Sequence, residues 1–205
     1  YRRTMRQFTE AARNHPDIIT PTVRNAVIKS ACFMDKVQYT ALVEELTAGL
    51  NTMAVKPWPG KKILVSGIKM DSPALLKILE ENSIAVVADD LAQETRLFRS
   101  DIQQTSSDPW ENLARYWSAM EGCSLLFDPA KKRCDMIMED VKRTGAAGVL
   151  FCMTKFCDPE EFDYPIFKKR LEAQGIPHVY IETDLETESD EQARTRIQAF
   201  TEMVG

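Results

Sequence analysis

The sequence predicts an α/β fold: a four-stranded parallel sheet of the flavodoxin/Rossmann-like type, flanked by helices and preceded by an N-terminal helical segment. Three observations carry that expectation. Short apolar runs recur over 63–65, 84–87, 149–151 and 178–181. Each leads into a polar loop and then an amphipathic stretch of helical period, the pattern of repeated strand–helix units. Residues 1–57 show helical periodicity with no such runs.

The elements follow in order. Residues 2–14 read as an amphipathic helix with Met5, Phe8 and Ala12 on one face. His15 and Pro16 end it, the histidine suiting the negative end of the dipole. A second helix is expected after Thr20, with Pro21 at its first position, and a third over 35–52 with Tyr39, Leu42, Leu46 and Leu50 at helical spacing. KPWPGKK at 56–62 is a turn-rich boundary, dividing a helical segment over 1–57 from an α/β domain over 58–205. Beyond the first strand, Ser72 is placed to cap a helix opened by Pro73. The long connection over about 91–145 is read as a helical insertion. Its first helix opens on Asp108 and Pro109, with Trp110, Tyr116 and Trp117 assigned to packing; its second follows Asp128 and Pro129 and carries Arg133, Ile137 and Val141.

Right-handed crossovers put every strand's carboxyl end on one edge. The loops over 66–72, 89–99, 152–158 and 182–184 should therefore converge. In a 2-1-3-4 strand order the loops after the first and third strands flank the switch point where ligands bind, and Cys157 would stand beside it.

The composition excludes some classes. At 205 residues and a net charge of -5, the chain lacks the concentrated basic face of a nucleic-acid binder. Residues 1–57 are mildly basic, with 8 basic against 5 acidic side chains, and the remainder is acidic. With 44% hydrophobic and 28% charged residues, no apolar run of spanning length and no charged-then-apolar leader, a cytoplasmic protein without a membrane partner is expected. Five cysteines at irregular spacing are expected to be reduced thiols. Cys32 is assigned to the apolar face of a helix, and Cys134 to a structural place in another.

The stretch AGVLFCMTKFCDPEEFDYP at 147–165 is where the sequence becomes chemical. An apolar run ends at Cys152, read as the last, packed residue of its strand, and the following loop delivers Cys157 to a helix start. Asp158 is suited to the N-cap, Pro159 to the first helical position, and Glu160 and Glu161 to the positive end of the dipole. That helix end, with Lys155 two residues ahead of Cys157, favours the thiolate, the form that binds metal. Spacing alone leaves a second reading level with this one, a small buried thiol at a helix cap, because Cys152 and Cys157 match no zinc or redox dithiol pattern. Asp89, Asp90, Glu182, Asp184, Lys155, Arg96 and Arg99 fall on the same edge, where the plain reading of each is a solvated loop charge or a cap. His178, opening the last strand, is read as a core histidine.

KFCDPEEFDYP, continuing through Pro177 into IETD at 181–184 and ending in the Gln192, Arg196, Phe200 pattern, resembles the 2-hydroxyacyl-CoA dehydratase and benzoyl-CoA reductase family. The resemblance implies the C-terminal part of a subunit of a 2-hydroxyglutaryl-CoA dehydratase D-component-like protein, since subunits of that family are considerably longer and this chain starts at Tyr1. It implies that Cys157 is one of three cysteines holding a [4Fe-4S] cluster in the full-length subunit, the others lying outside this chain, so that the fragment alone would lack the cluster and be inactive. It implies a lyase reaction, radical elimination of water from an (R)-2-hydroxyacyl-CoA after one-electron reduction. The partners it implies are a second dehydratase subunit, an ATP-dependent iron-sulfur activator and the acyl-CoA, whose phosphates make Lys155, Arg96 and Arg99 candidate contacts. Cys123, where relatives often have cysteine followed by proline, is followed here by serine and is read as structural, with a place near the cluster as the alternative. An acyl-CoA reductase subunit of the benzoyl-CoA type is the competing reading within the family, and a non-redox α/β binding or assembly domain the competing reading outside it.

Overall fold

A computed structural model describes residues 1–184 and 191–204. The chain opens with three helices, α1 (Arg2–Asn14), α2 (Pro21–Ser30) and α3 (Lys36–Thr52). The Thr20 hydroxyl accepts the Val23 N–H at 3.3 Å, and the Asp35 carboxylate accepts those of Val37 and Gln38 at 3.0 and 3.1 Å. Side-chain caps thus set both starts at the places their residue types suggest. Met5, Phe8 and Ala12 of α1 are buried with Ile28, Tyr39 and Leu50, and Phe98 from later in the chain joins the same core. On α3 the buried face runs through Val43 and Thr47, and Leu42 is exposed, a rotation of the stripe expected from the leucines. Cys32 is exposed as well, because α2 stops at Ser30 and the following residues turn toward the Asp35 cap.

The sheet follows as β1 (Lys61–Gly67), β2 (Ile84–Leu91), β3 (Gly148–Thr154) and β4 (His178–Thr183). All pairs are parallel and the order is β2-β1-β3-β4. This is the doubly wound arrangement expected from the alternating runs. Pleating sends Ile63, Val65, Leu150 and Cys152 to one face, under α4 (Pro73–Glu81) and α8 (Glu191–Met203). Leu64, Val149 and Phe151 go to the other, under α6 (Lys132–Thr144) and α7 (Asp158–Ala173). Cys152 lies inside β3, which continues to Thr154. Gly67 closes β1 at φ +147, where a Cβ would come within 2.1 Å of the Cys152 carbonyl oxygen, so the strand end admits no side chain.

Between β2 and β3 lie a 3-10 turn (Thr95–Leu97), α5 (Pro109–Ser118) and α6. Asp108 caps α5 by accepting the Trp110 N–H at 2.9 Å. The tryptophans assigned to packing are on the surface, Trp110 at 77% and Trp117 at 62% exposure. An amphipathic stripe shows which face is apolar, not whether anything covers it, and the buried residue of α5 is Asn112. Tyr116 meets Arg2, whose guanidinium lies 4.7 Å from the ring centroid and donates to the phenol at 3.0 Å. Helix α6 covers the sheet, with Cys134, Ile137 and Val141 packed against Leu64, Ala85 and Val149. Gly145 in the left-handed conformation ends it, its N–H returning to the Val141 carbonyl.

Candidate functional site

The carboxyl ends of β1 and β2 and the first turn of α7 meet at a buried group of charges. Arg133, on α6 and 2% exposed, donates from Nε to Asp90 Oδ2 at 2.7 Å and from Nη2 to Ser66 Oγ at 2.9 Å and Glu160 Oε2 at 2.6 Å. Its guanidinium also lies 5.1 Å from the Phe167 ring centroid. Arg96 donates to Asp90 and, from both terminal nitrogens, to Glu160 at 3.1 and 3.2 Å. Arg99 reaches Asp90 at 3.1 Å and the carbonyls of Glu121 and Gly122. Burial acts to raise the Asp90 carboxyl, and Arg133 and Arg96 outweigh it, holding it below the usual carboxylate range. Burial likewise works against the charge on Arg96, and Asp90 and Glu160 reverse that, so its guanidinium is held more firmly protonated.

Asp89, Asp90 and Arg96 are therefore buried parts of the scaffold and not solvated loop charges. Asp89 pairs with Arg24 of α2, which also pairs with Glu94, tying the front helices to β2. A cavity of about 440 Å³ opens beside this group, with Arg6, Arg24, Arg99, Asp89, Phe98 and Ile137 among its walls. Lys155 is more open, pairing with Asp184 at 3.1 Å across the ends of β3 and β4. His178 is half-buried, its ring edge-on to Phe151.

Cys157 occupies the N-cap of α7, one place ahead of Asp158. Asp158 itself begins the helix. The thiol is half-exposed and makes no capping bond to the helix. Phe156 before it is 92% exposed and left-handed at φ +64, an uncommon state for an aromatic residue. Cys123 stands next to Ser124, whose hydroxyl donates to Glu160 Oε1 at 2.7 Å, so its loop is brought to the first turn of α7.

The network of Arg133, Glu160 and Ser124 escaped the reading of the sequence. Arg133 gave a signal, a charge at helical spacing with Ile137 and Val141 on an apolar stripe. Glu160 gave none, because an acidic residue in a first turn is ordinary.

The donors do not by themselves make an iron-sulfur site. Cys134 and Cys152 are buried in packing and Cys32 lies in the turn after α2. Among the described residues no three His, Cys, Asp or Glu side chains converge so as to hold a metal ion. Cys157 presents a half-exposed thiol at the mouth of the edge.

Fold and site define a doubly wound α/β protein that presents a thiol from a helix start at the carboxyl edge of its third strand. Residues 1–204 match the family model described as 2-hydroxyglutaryl-CoA dehydratase, D-component, and the chain belongs to that family. It is 49% identical over 202 residues to the (R)-phenyllactyl-CoA dehydratase beta subunit of Clostridium sporogenes, covering 98% of this chain and 54% of that protein. It is 43% identical over 203 residues to the lactoyl-CoA dehydratase subunit beta of Anaerotignum propionicum, covering 99% and 54%. It is 40% identical over 204 residues to the (R)-2-hydroxyglutaryl-CoA dehydratase, subunit beta, of Acidaminococcus fermentans, covering 98% and 54%. The chain thus spans about half the length of the curated relatives it matches.

Proposed function

We propose that the chain is part of one subunit of a 2-hydroxyacyl-CoA dehydratase, a cytoplasmic lyase that removes water from an (R)-2-hydroxyacyl-CoA. The observation that carries this reading is the Cys157 thiol, half-exposed at a helix start on the carboxyl edge of the sheet, in a chain that belongs to the dehydratase family. The three relatives named above differ in acyl group and share the CoA ester. The substrate feature proposed for this protein is accordingly the 2-hydroxyacyl thioester.

Cys157 would supply one thiolate to a [4Fe-4S] cluster, whose chemistry is the delivery of single electrons. Its remaining ligands would come from outside these 205 residues. Lys155, at the surface beside Asp184, is the proposed partner for a CoA phosphate. Arg96 and Arg99 would act at that edge chiefly through the carboxylates they already hold. The same reading keeps a helical segment over 1–57 ahead of an α/β unit over 58–205. It also assigns the protein a second dehydratase subunit and an ATP-dependent iron-sulfur activator as partners, with the 205 residues inactive alone.

The test is iron and acid-labile sulfide content, with dehydration of (R)-2-hydroxyacyl-CoA esters, on the full-length subunit purified without oxygen together with its partner subunit and activator. Iron that falls away in Cys157→Ala, along with turnover, supports the reading. Equal iron in both proteins, or none in either, overturns the role of Cys157.

A further inference from the structure

The backbone that carries the Cys157 thiol is held in the first turn of α7. Its N–H donates to the Thr154 carbonyl at 3.1 Å, and its own carbonyl accepts the N–H groups of Glu160 and Glu161 at 3.0 and 3.1 Å. The side chain makes no capping bond to the helix, and Phe156 on its other side is exposed. Whatever fixes that first turn therefore fixes the backbone from which the thiol projects.

Glu160 is the residue there that is anchored to the rest of the fold. Its carboxylate accepts two bonds from Arg96, one from Arg133 and one from Ser124. These donors come from three separate segments: the turn after β2, helix α6 and the loop before α6. Arg133 carries the connection on to Ser66 and Asp90 at the ends of β1 and β2. A glutamate that only complemented the helix dipole would stand in water, and burying an ion pair adds little net stability over apolar packing. What the arrangement does supply is a fixed geometry.

We propose that Glu160 is a positioning residue for Cys157: clamped between Arg96 and Arg133, it registers the first turn of α7, and with it the sulfur, against the ends of β1 and β2. This rests on the reading of Cys157 as the functional thiol. The role is distinct from ligation, since the Glu160 carboxylate is filled by its four donors.

The experiment uses the full-length protein, freed of metal by a chelator without oxygen. Alkylation of Cys157 by iodoacetamide is followed by mass spectrometry across neutral and mildly alkaline pH. Glu160→Gln keeps the size of the side chain and removes its charge; Glu160→Asp keeps the charge and shortens the reach. Arg24→Lys is the control, disturbing a buried ion-pair group that includes Asp89 and Glu94 and not Glu160. Glu160→Gln is expected to alkylate at least about fivefold faster at each pH, with Glu160→Asp between it and the parent and Arg24→Lys like the parent after comparable loss of Tm. Parent-like rates in Glu160→Gln, or equal acceleration in Arg24→Lys, overturn the proposal. Should Glu160→Gln not fold, Ser124→Ala, which removes one donor and leaves both ion pairs, must show a smaller shift in the same direction; its absence is equally decisive. Iron content of the unstripped protein reports separately on the metal role, so either idea can fail alone.

Discussion

Arg133 Nη2 meets Glu160 Oε2 at 2.6 Å, and that bond joins the crossover helix of the second and third strands to the helix that begins just after Cys157. Removing its cationic half leaves Asp90 and Glu160 with less compensation in a buried place. Arg133→Met is therefore expected to lose about 3–5 kcal/mol, read from urea unfolding of the full-length protein. A loss below about 1 kcal/mol would mean that Arg96 alone can carry both carboxylates.

Asp90 makes stability depend on pH in a definite direction. Its folded pKa lies below the ordinary carboxylate value, so the stability it contributes is present above the unfolded value and is lost as pH falls through the folded one. Unfolding curves recorded from neutral to acid pH should show that loss on the acid side. Asp90→Asn should be less stable at neutral pH and show a shallower acid decline; an unchanged slope would assign the decline to other groups.

Phe156 holds a left-handed backbone with its ring in solvent. The conformation costs about 1–2 kcal/mol for a residue with a Cβ, and glycine gives part of that back to the freedom of the unfolded chain. Phe156→Gly is expected to gain up to about 1 kcal/mol in urea unfolding. A loss would show that the ring is held by contacts in the full-length protein.

Gly67→Ala should be severe for so small a change. The added methyl would meet the Cys152 carbonyl at 2.1 Å on a backbone with φ +147, and two adjacent parallel strands would have to part. A cost of at least about 1–3 kcal/mol is expected, with earlier thermal unfolding by circular dichroism.

Trp110 and Trp117 make the opposite case. Their exposure predicts that Trp110→Ser and Trp117→Ser each change the unfolding free energy of the 205-residue chain by no more than about 0.5 kcal/mol. A larger loss would place them in a contact that this chain makes with itself.

The parallel sheet was legible because four apolar runs alternate with helix-length segments, and its 2-1-3-4 order was one of the few topologies this leaves open. The starts of α2, α3, α4 and α5 were legible because Thr20, Asp35, Ser72 and Asp108 are caps whose chemistry is local. Local signals fail where a partner comes from far along the chain. Arg96 and Glu160 are separated by 64 residues, and nothing in either neighbourhood says that the two are buried together. The same limit explains Cys32 and the tryptophans, whose apolar character is visible and whose covering is not. Cys157 was placed at a helix start by its following Asp-Pro pair, and that much of the site could be read directly.

Helix α1 packs beside β2, the strand at one end of the sheet. An end strand has a row of amides and carbonyls with no neighbour on one side, and such a row is a template on which another chain can stack. The front helices therefore stand beside the end strand as well as forming a core. A chain starting at β1 would lose that neighbour together with the Arg24 bridge to Asp89 and Glu94, leaving two buried carboxylates without their cation beside an end strand.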